Sequence, residues 1–321
     1  NETPTEGSNE NPLAGTYDII MWVSESDGMT ALTQEMIDAF EAAYPGIVIN
    51  AQIEGVSEAD AGSKVIADVA SAPDIYCFAQ DQLARLVQAA ALAEPGGDVA
   101  ALITAENDAG AVAAASVAGT LYAYPMTSDN GYFMYYDKSV ISEDDIGSLE
   151  KLIAACEAAG KNFSFELENS WYIVSFFFAT GCVSEWQTDA DGKFISVTDN
   201  FNSDKGLIAA EGLKKIVTSP CYVNSSATSD FEAAIPSAVV VSGTWNYENA
   251  KSILGDNLGI AELPSFEVNG QSYHLASFNG CKLMGVKPQT DAKRAAVLNQ
   301  LAQYLTSEKC QLERFNGNGW G

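Results

Sequence analysis

Six short clusters in this 321-residue chain set acidic, amide or hydroxyl side chains at the expected ends of strands or beside aromatic rings. They are Glu25, Ser26 and Asp27 in Ser24-Glu-Ser-Asp27; Glu58 in Val56-Ser-Glu-Ala-Asp60; and Phe78, Asp81 and Gln82 in Phe78-Ala-Gln-Asp-Gln82. Further along come Asp129 in Met126-Thr-Ser-Asp-Asn130, Asn169, Trp171 and Tyr172 in Glu168-Asn-Ser-Trp-Tyr172, and Trp245 in Gly243-Thr-Trp245. Planar carboxylates and amides pair with adjacent hydroxyls, and aromatic rings cover C–H faces. The chemistry on offer is hydrogen bonding and stacking against a neutral, hydroxyl-bearing compound, with no metal and no catalytic base.

Each cluster also has a plain structural reading. Asp27 is placed to cap a helix, Glu58 to favour a helix start, and Asp129 to sit in a turn. Phe78 and Trp171 read equally as core. Bond-breaking chemistry finds less support. The single histidine is His274, and Cys77, Cys156, Cys182, Cys221, Cys281 and Cys310 are scattered with no CxxC, so zinc sites and other resident cofactors are not expected. Small apolar core positions account for these cysteines better than any particular bridge. There is no Gly-x-Ser-x-Gly, no HExxH and no phosphate loop. Asp189, Asp191 and Gly192 match a calcium loop only in part, since Gln187 and Thr198 occupy its first and closing positions, and Asp191-Gly192 reads as a hairpin turn. A glycosidase working through two carboxylates stays open as an alternative, because acids are plentiful.

The charge sets the class of partner. Asp and Glu number 43 against 16 Lys and Arg, giving a net charge of −27, while 47% of residues are hydrophobic. That apolar share supplies packed cores and argues against disorder. The acid excess excludes nucleic acid and disfavours anionic ligands and membrane surfaces. Neutral or cationic partners remain.

Positioning these clusters requires alternating strands and helices. Tyr17–Val23 reads as a buried strand, followed by a helix with the stripe Leu32, Met36, Phe40 and Tyr44, and then the strand Ile47–Ile53. A helix over Ala59–Ala70, a strand over Ile75–Phe78, a helix through Leu83, Leu86 and Val87, and an Ala-rich helical stretch to Val117 follow. Crossing into a second domain is expected between Gly119 and Tyr136. That domain takes helices at Ser148–Ala159, Trp171–Ala179 and Asp204–Val217, with strands at Asn162–Leu167 and Ala238–Ser242. The chain then returns through Lys282–Val286 and a helix over Ala292–Tyr304. This alternation predicts an α/β fold with largely parallel sheets, whose ligands bind beyond the carboxyl ends of the strands. The expected division is a polar tether over residues 1–14, a first lobe of 15–127 plus 273–321, and a second lobe of 128–272.

Phe40-Glu-Ala-Ala-Tyr-Pro-Gly-Ile47, Ala72-Pro-Asp-Ile75, Leu83 to Ala93, Tyr122-Ala-Tyr-Pro125, Tyr135-Tyr-Asp-Lys138 and Gly243-Thr-Trp245 occur in an order and spacing that carry a family resemblance. The chain resembles the family 1 extracellular solute-binding proteins of bacterial ABC importers, in particular their maltose- and maltooligosaccharide-binding branch, over nearly all of Tyr17 to Trp320. The resemblance implies a type II periplasmic-binding-protein-like fold of two α/β lobes joined by a hinge, with an α-glucan held between them and delivered to an ABC permease. It implies a monomer, and a lipoprotein of a Gram-positive cell surface tethered through Asn1–Asn11. Phe78, Asp81, Glu58, Asp129, Trp171 and Trp245 match family positions near the sugar. Gln82 and Asn169 depart from the basic and acidic residues usual there. The family chain adds further helices to its second lobe after the Gly319–Gly321 region, which this sequence does not contain. The same fold with a cationic solute or another oligosaccharide is the alternative cargo.

Overall fold

The computed structural model describes residues 11–189, 193–278 and 280–319. They form two compact units, one from the described parts of Asn1–Asp129, Ala190–Lys193 and Gly280–Gly321, the other from Asn130–Asp189 and Phe194–Asn279.

The first unit begins β1 (Gly15–Val23), α1 (Met29–Ala43), β2 (Ile47–Gly55), α2 (Glu58–Ala67), β3 (Ile75–Ala79) and α3 (Leu83–Gln88). Two short helices, α4 (Gly97–Glu106) and α5 (Ala109–Ala114), replace the single Ala-rich helix expected. They are separated because Asp108 caps α5, its carboxylate accepting from the backbone N–H groups of Gly110 and Ala111 at 2.8 and 3.0 Å. A small ribbon, β4 (Ser116–Val117) and β5 (Thr120–Leu121), leads into β6 (Tyr124–Asn130).

The second unit holds β7 (Tyr132–Asp137), α6 (Leu149–Ala159), β8 (Asn162–Ser164), α7 (Ser170–Ala179), β9 (Ser184–Thr188), β10 (Phe194–Asp199) and α8 (Asp204–Val217). It continues with β11 (Tyr222–Val223), β12 (Ser237–Gly243), α9 (Tyr247–Leu254), β13 (Leu258–Ala261), β14 (Ser265–Val268) and β15 (Gln271–His274). The chain completes the first unit with β16 (Gly280–Val286), α10 (Ala292–Leu305) and α11 (Glu308–Asn318).

The first sheet runs β2-β1-β3-β16-β6 and the second β11-β8-β12-β7-β13. Strands linked through a covering helix run parallel, as β1 does with both β2 and β3, and β8 with both β11 and β12. The expectation of largely parallel sheets needs correcting at the other strands. β16 opposes β3, and β7 pairs antiparallel with both of its neighbours, β12 and β13. Strands β9 and β10 pair as the hairpin expected around Asp191-Gly192, whose turn lies outside the described residues.

Both faces of the first sheet are covered. Tyr17, Ile19, Met21 and Val23 of β1 pack with Met36, Ile37 and Phe40 of α1 and with Val297, Leu298 and Leu301 of α10. Tyr76 and Phe78 of β3 point the other way, to Val65 of α2 and Leu83 and Leu86 of α3. The second unit centres on Val239 and Val241 of β12, Phe163 of β8, Leu152 and Cys156 of α6, and Phe266.

Candidate functional site

In each unit the polar and aromatic candidates gather where parallel strands end. In the first, β1 and β3 finish at Val23 and Ala79, and antiparallel β16 starts beside them, Lys282 standing opposite Ala79. Glu25, Ser26 and Asp27 are exposed in the loop after β1, where Ser24 and Ser26 share a hydroxyl contact of 3.0 Å. Asp27 does not cap α1: Gly28 does, in a left-handed conformation with φ of 79° that a side chain would strain. Asp81 is exposed on the single turn Gln80–Gln82.

Glu58 opens α2 and is largely buried. Burial raises the pKa of its carboxyl; its own backbone N–H, the Lys282 charge and a hydrogen bond from Ser24 hold the rise in check, and Glu25 adds to it. Its Oε1 is enclosed without a hydrogen-bond partner among the described residues. Lys282 is itself 5% exposed, its backbone N–H donating to Thr127 Oγ1 at 3.4 Å. A buried lysine opening an apolar strand was the signal in the sequence that reading Lys282–Val286 only as a strand passed over.

Two expected contacts in this unit are placed elsewhere. Phe78 is fully buried between the sheet and its helices, with its ring 5.7 Å from Tyr76, so it offers no face to a ligand. Gln82 is 1% exposed and its amide nitrogen donates to the carbonyls of Glu58 and Ala59 at 2.6 and 2.8 Å, fixing the start of α2. Asp129 lies within β6.

In the second unit, β8 ends at Ser164 beside Val240 while β12 runs on to Gly243, and β7 begins opposite, Tyr132 pairing with Gly243. Trp245 follows β12 directly and is 42% exposed. Its indole lies against Gly243, where a Cβ would overlap ring atoms Cζ3 and Cη2. Asn246 donates from its amide to Ser242 Oγ at 2.8 Å. Glu166, Asn224 and Ser226, which the sequence reading did not select, complete the polar margin. Ser226 donates to Glu166 Oε2 at 2.6 Å, and the Glu168 N–H donates to Asn224 Oδ1 at 3.0 Å. Each lies within a few residues of the end of a short strand, a position that could have drawn notice.

Asn169 is the cap of α7, accepting from the Trp171 N–H at 3.0 Å. Trp171 is half-buried, stacked on Phe278 with centroids 4.3 Å apart and planes at 19°, and edge-on to Tyr132 at 5.9 Å. One of its faces is therefore already covered. Tyr172 is buried beneath, 4.8 Å from the Tyr132 ring. Of the aromatic candidates, Trp245 keeps the most open face. Among the described residues no group of three or more His, Cys, Asp or Glu side chains is placed to hold a metal ion.

Two α/β units, each carrying hydrogen-bonding groups at the ends of its parallel strands, fit a solute-binding architecture. The chain belongs to the bacterial extracellular solute-binding proteins, whose family model matches residues 35–321. It is similar to a structure solved with acarbose, at 31% identity and a TM-score of 0.82, covering 96% of this chain and 79% of that one. The maltodextrin-binding protein MalE1 from L. casei BL23, solved without ligand, shares 22% identity over 95% of this chain and 79% of its own, with a TM-score of 0.79. A maltose/maltodextrin-binding domain from Bdellovibrio bacteriovorus, bound to maltotriose, shares 18% identity over 95% and 80% with a TM-score of 0.76. The last two likenesses establish the fold, which is the type II class expected. No curated protein matches the chain.

Proposed function

We propose that the protein is a receptor for neutral maltooligosaccharides that hands its sugar to an ABC permease, and that it performs no chemistry on the sugar. The observation that carries this reading is Trp245: an exposed indole at the carboxyl end of β12, bordered by the amide of Asn246. An apolar ring beside uncharged hydrogen-bonding groups suits a sugar's C–H face and hydroxyl edge, and suits a polyamine poorly. The related structures solved with acarbose and with maltotriose support the same class of ligand.

Hinge closure on the ligand, which the family resemblance implies, belongs to the proposal; a ligand shifts such an equilibrium only through its different affinity for the two states. The first unit offers the exposed groups Glu25, Ser26, Asp27 and Asp81, and the second the exposed Trp245 and the half-buried Trp171. A monomer at the outer surface of a Gram-positive cell, lipid-anchored through the polar run Asn1–Asn11, completes the reading and is what the family resemblance implies.

A thermal-shift panel separates the readings. Maltotriose and maltotetraose are expected to raise the unfolding midpoint and spermidine to leave it unmoved; the reverse pattern overturns the choice of ligand. Release of reducing ends on prolonged incubation with maltooligosaccharide would establish an enzyme instead.

A further inference from the structure

Cys156 and Cys221 are 65 positions apart in sequence and adjoin in the core of the second unit, both without solvent exposure to speak of at 0% and 4%. Cys156 sits on the inner face of α6, and Cys221 just precedes the edge strand β11. The Cys221 sulfur lies 3.9 Å from the carbonyl oxygen of Ile153, one turn before Cys156 on the same helix. Ser219 ties the same two segments together, its hydroxyl 2.8 Å from Glu157 and 3.0 Å from the Cys221 sulfur. On the far side, the Cys221 carbonyl accepts from the Phe163 N–H at 2.8 Å, holding the segment to β8.

We propose that Cys156 and Cys221 are a disulfide-forming pair, oxidised by a small disulfide or a thiol–disulfide oxidoreductase in the extracellular environment that the family occupies. That compartment supplies such oxidants and lets the product persist. The arrangement suits the stepwise chemistry. Cys221 attacks as thiolate, its pKa lowered to about 7 chiefly by the neighbouring Cys156 thiol. It joins one sulfur of the oxidant disulfide and expels the other as a thiolate. The Cys156 thiol, which the neighbouring Cys221 and burial keep protonated, then loses its proton and attacks the Cys221 sulfur of the mixed disulfide, expelling the second thiolate. The pair gives up two electrons and two protons, and the oxidant leaves as two thiols. Access comes through the edge of the sheet, where β11 pairs on one side only. The bond would pin to α6 the strand that carries Asn224 and Ser226 at the ligand end.

The test starts from fully reduced native protein incubated with oxidised glutathione, quenched with acid, denatured and alkylated. The expected result is a fall from six alkylatable thiols to four, with the linked peptides containing Cys156 and Cys221. In Cys156→Ser the expected product is instead a stable glutathione adduct on Cys221. Six remaining thiols, or a bridge mapped to any other pair, overturns the proposal. The mapping on the unsubstituted protein stands even if the serine variant fails to fold.

Discussion

The indole of Trp245 lies directly over the Cα of Gly243, so closely that a methyl group on Gly243 would overlap the six-membered ring. The glycine thereby sets the height and tilt of an open aromatic face at the end of β12. The tryptophan is 42% exposed, so it contributes little to the core it borders.

Truncating it separates binding from folding. Trp245→Ala is expected to weaken maltotriose binding about 10- to 100-fold, the scale for removing a stacking aromatic anchor. Stability should stay within about 0.5 kcal/mol of the parent, as for exposed substitutions generally. Calorimetric titration and urea denaturation measure the two; unchanged affinity would remove Trp245 from the site.

Gly243→Ala tests the relationship itself. The added methyl forces the indole off its position while leaving the indole present, and affinity should fall by about tenfold or more, a difference of 1.4 kcal/mol. If Gly243→Ala binds as the parent does, the ring position set by Gly243 has no bearing on recognition.

Phe78→Ala is expected to behave as a core deletion. Its ring is fully enclosed, so truncation should cost about 3–5 kcal/mol in unfolding free energy. Maltotriose affinity of the fraction that remains folded should be near that of the parent. A stable variant with weakened binding would restore Phe78 to the role of sugar platform.

Glu58 gives a pH dependence of known sign. Its pKa in the folded protein is raised above 4.5, chiefly by burial. The folded state therefore keeps the proton longer than the unfolded chain, and the Glu58 contribution to stability falls as pH rises from 4.5 through the folded value. Glu58→Gln cannot ionise, so its stability relative to the parent should improve between pH 4 and pH 7 by urea denaturation. Parallel profiles for the two proteins would show that the buried carboxyl is not raised.

Much of this was legible in the chain itself. The period-four stripe of α1 and the valine run of β12 are local signals that tertiary packing reinforced, and Asp204–Val217 forms as a helix over its expected length. Trp245 was legible because an aromatic residue after a glycine-ended buried strand has few places to go. Phe78 was not, because the same residue type at the end of β3 serves core or ligand according to which side of the pleat it occupies, and α2 and α3 claim that side. Gln82 and Asn169 were taken up by backbone groups at helix starts, a demand that arises only once α2 and α7 exist. The influence of the Lys282 charge on Glu58 links residues more than two hundred positions apart, beyond the reach of any local pattern.

The most direct measurement of the central claim is isothermal titration of maltotriose into the unsubstituted protein, with spermidine titrated alongside. Saturable binding of maltotriose and no heat of binding from spermidine is the predicted result. Saturation by spermidine with none by maltotriose would contradict a neutral-sugar receptor.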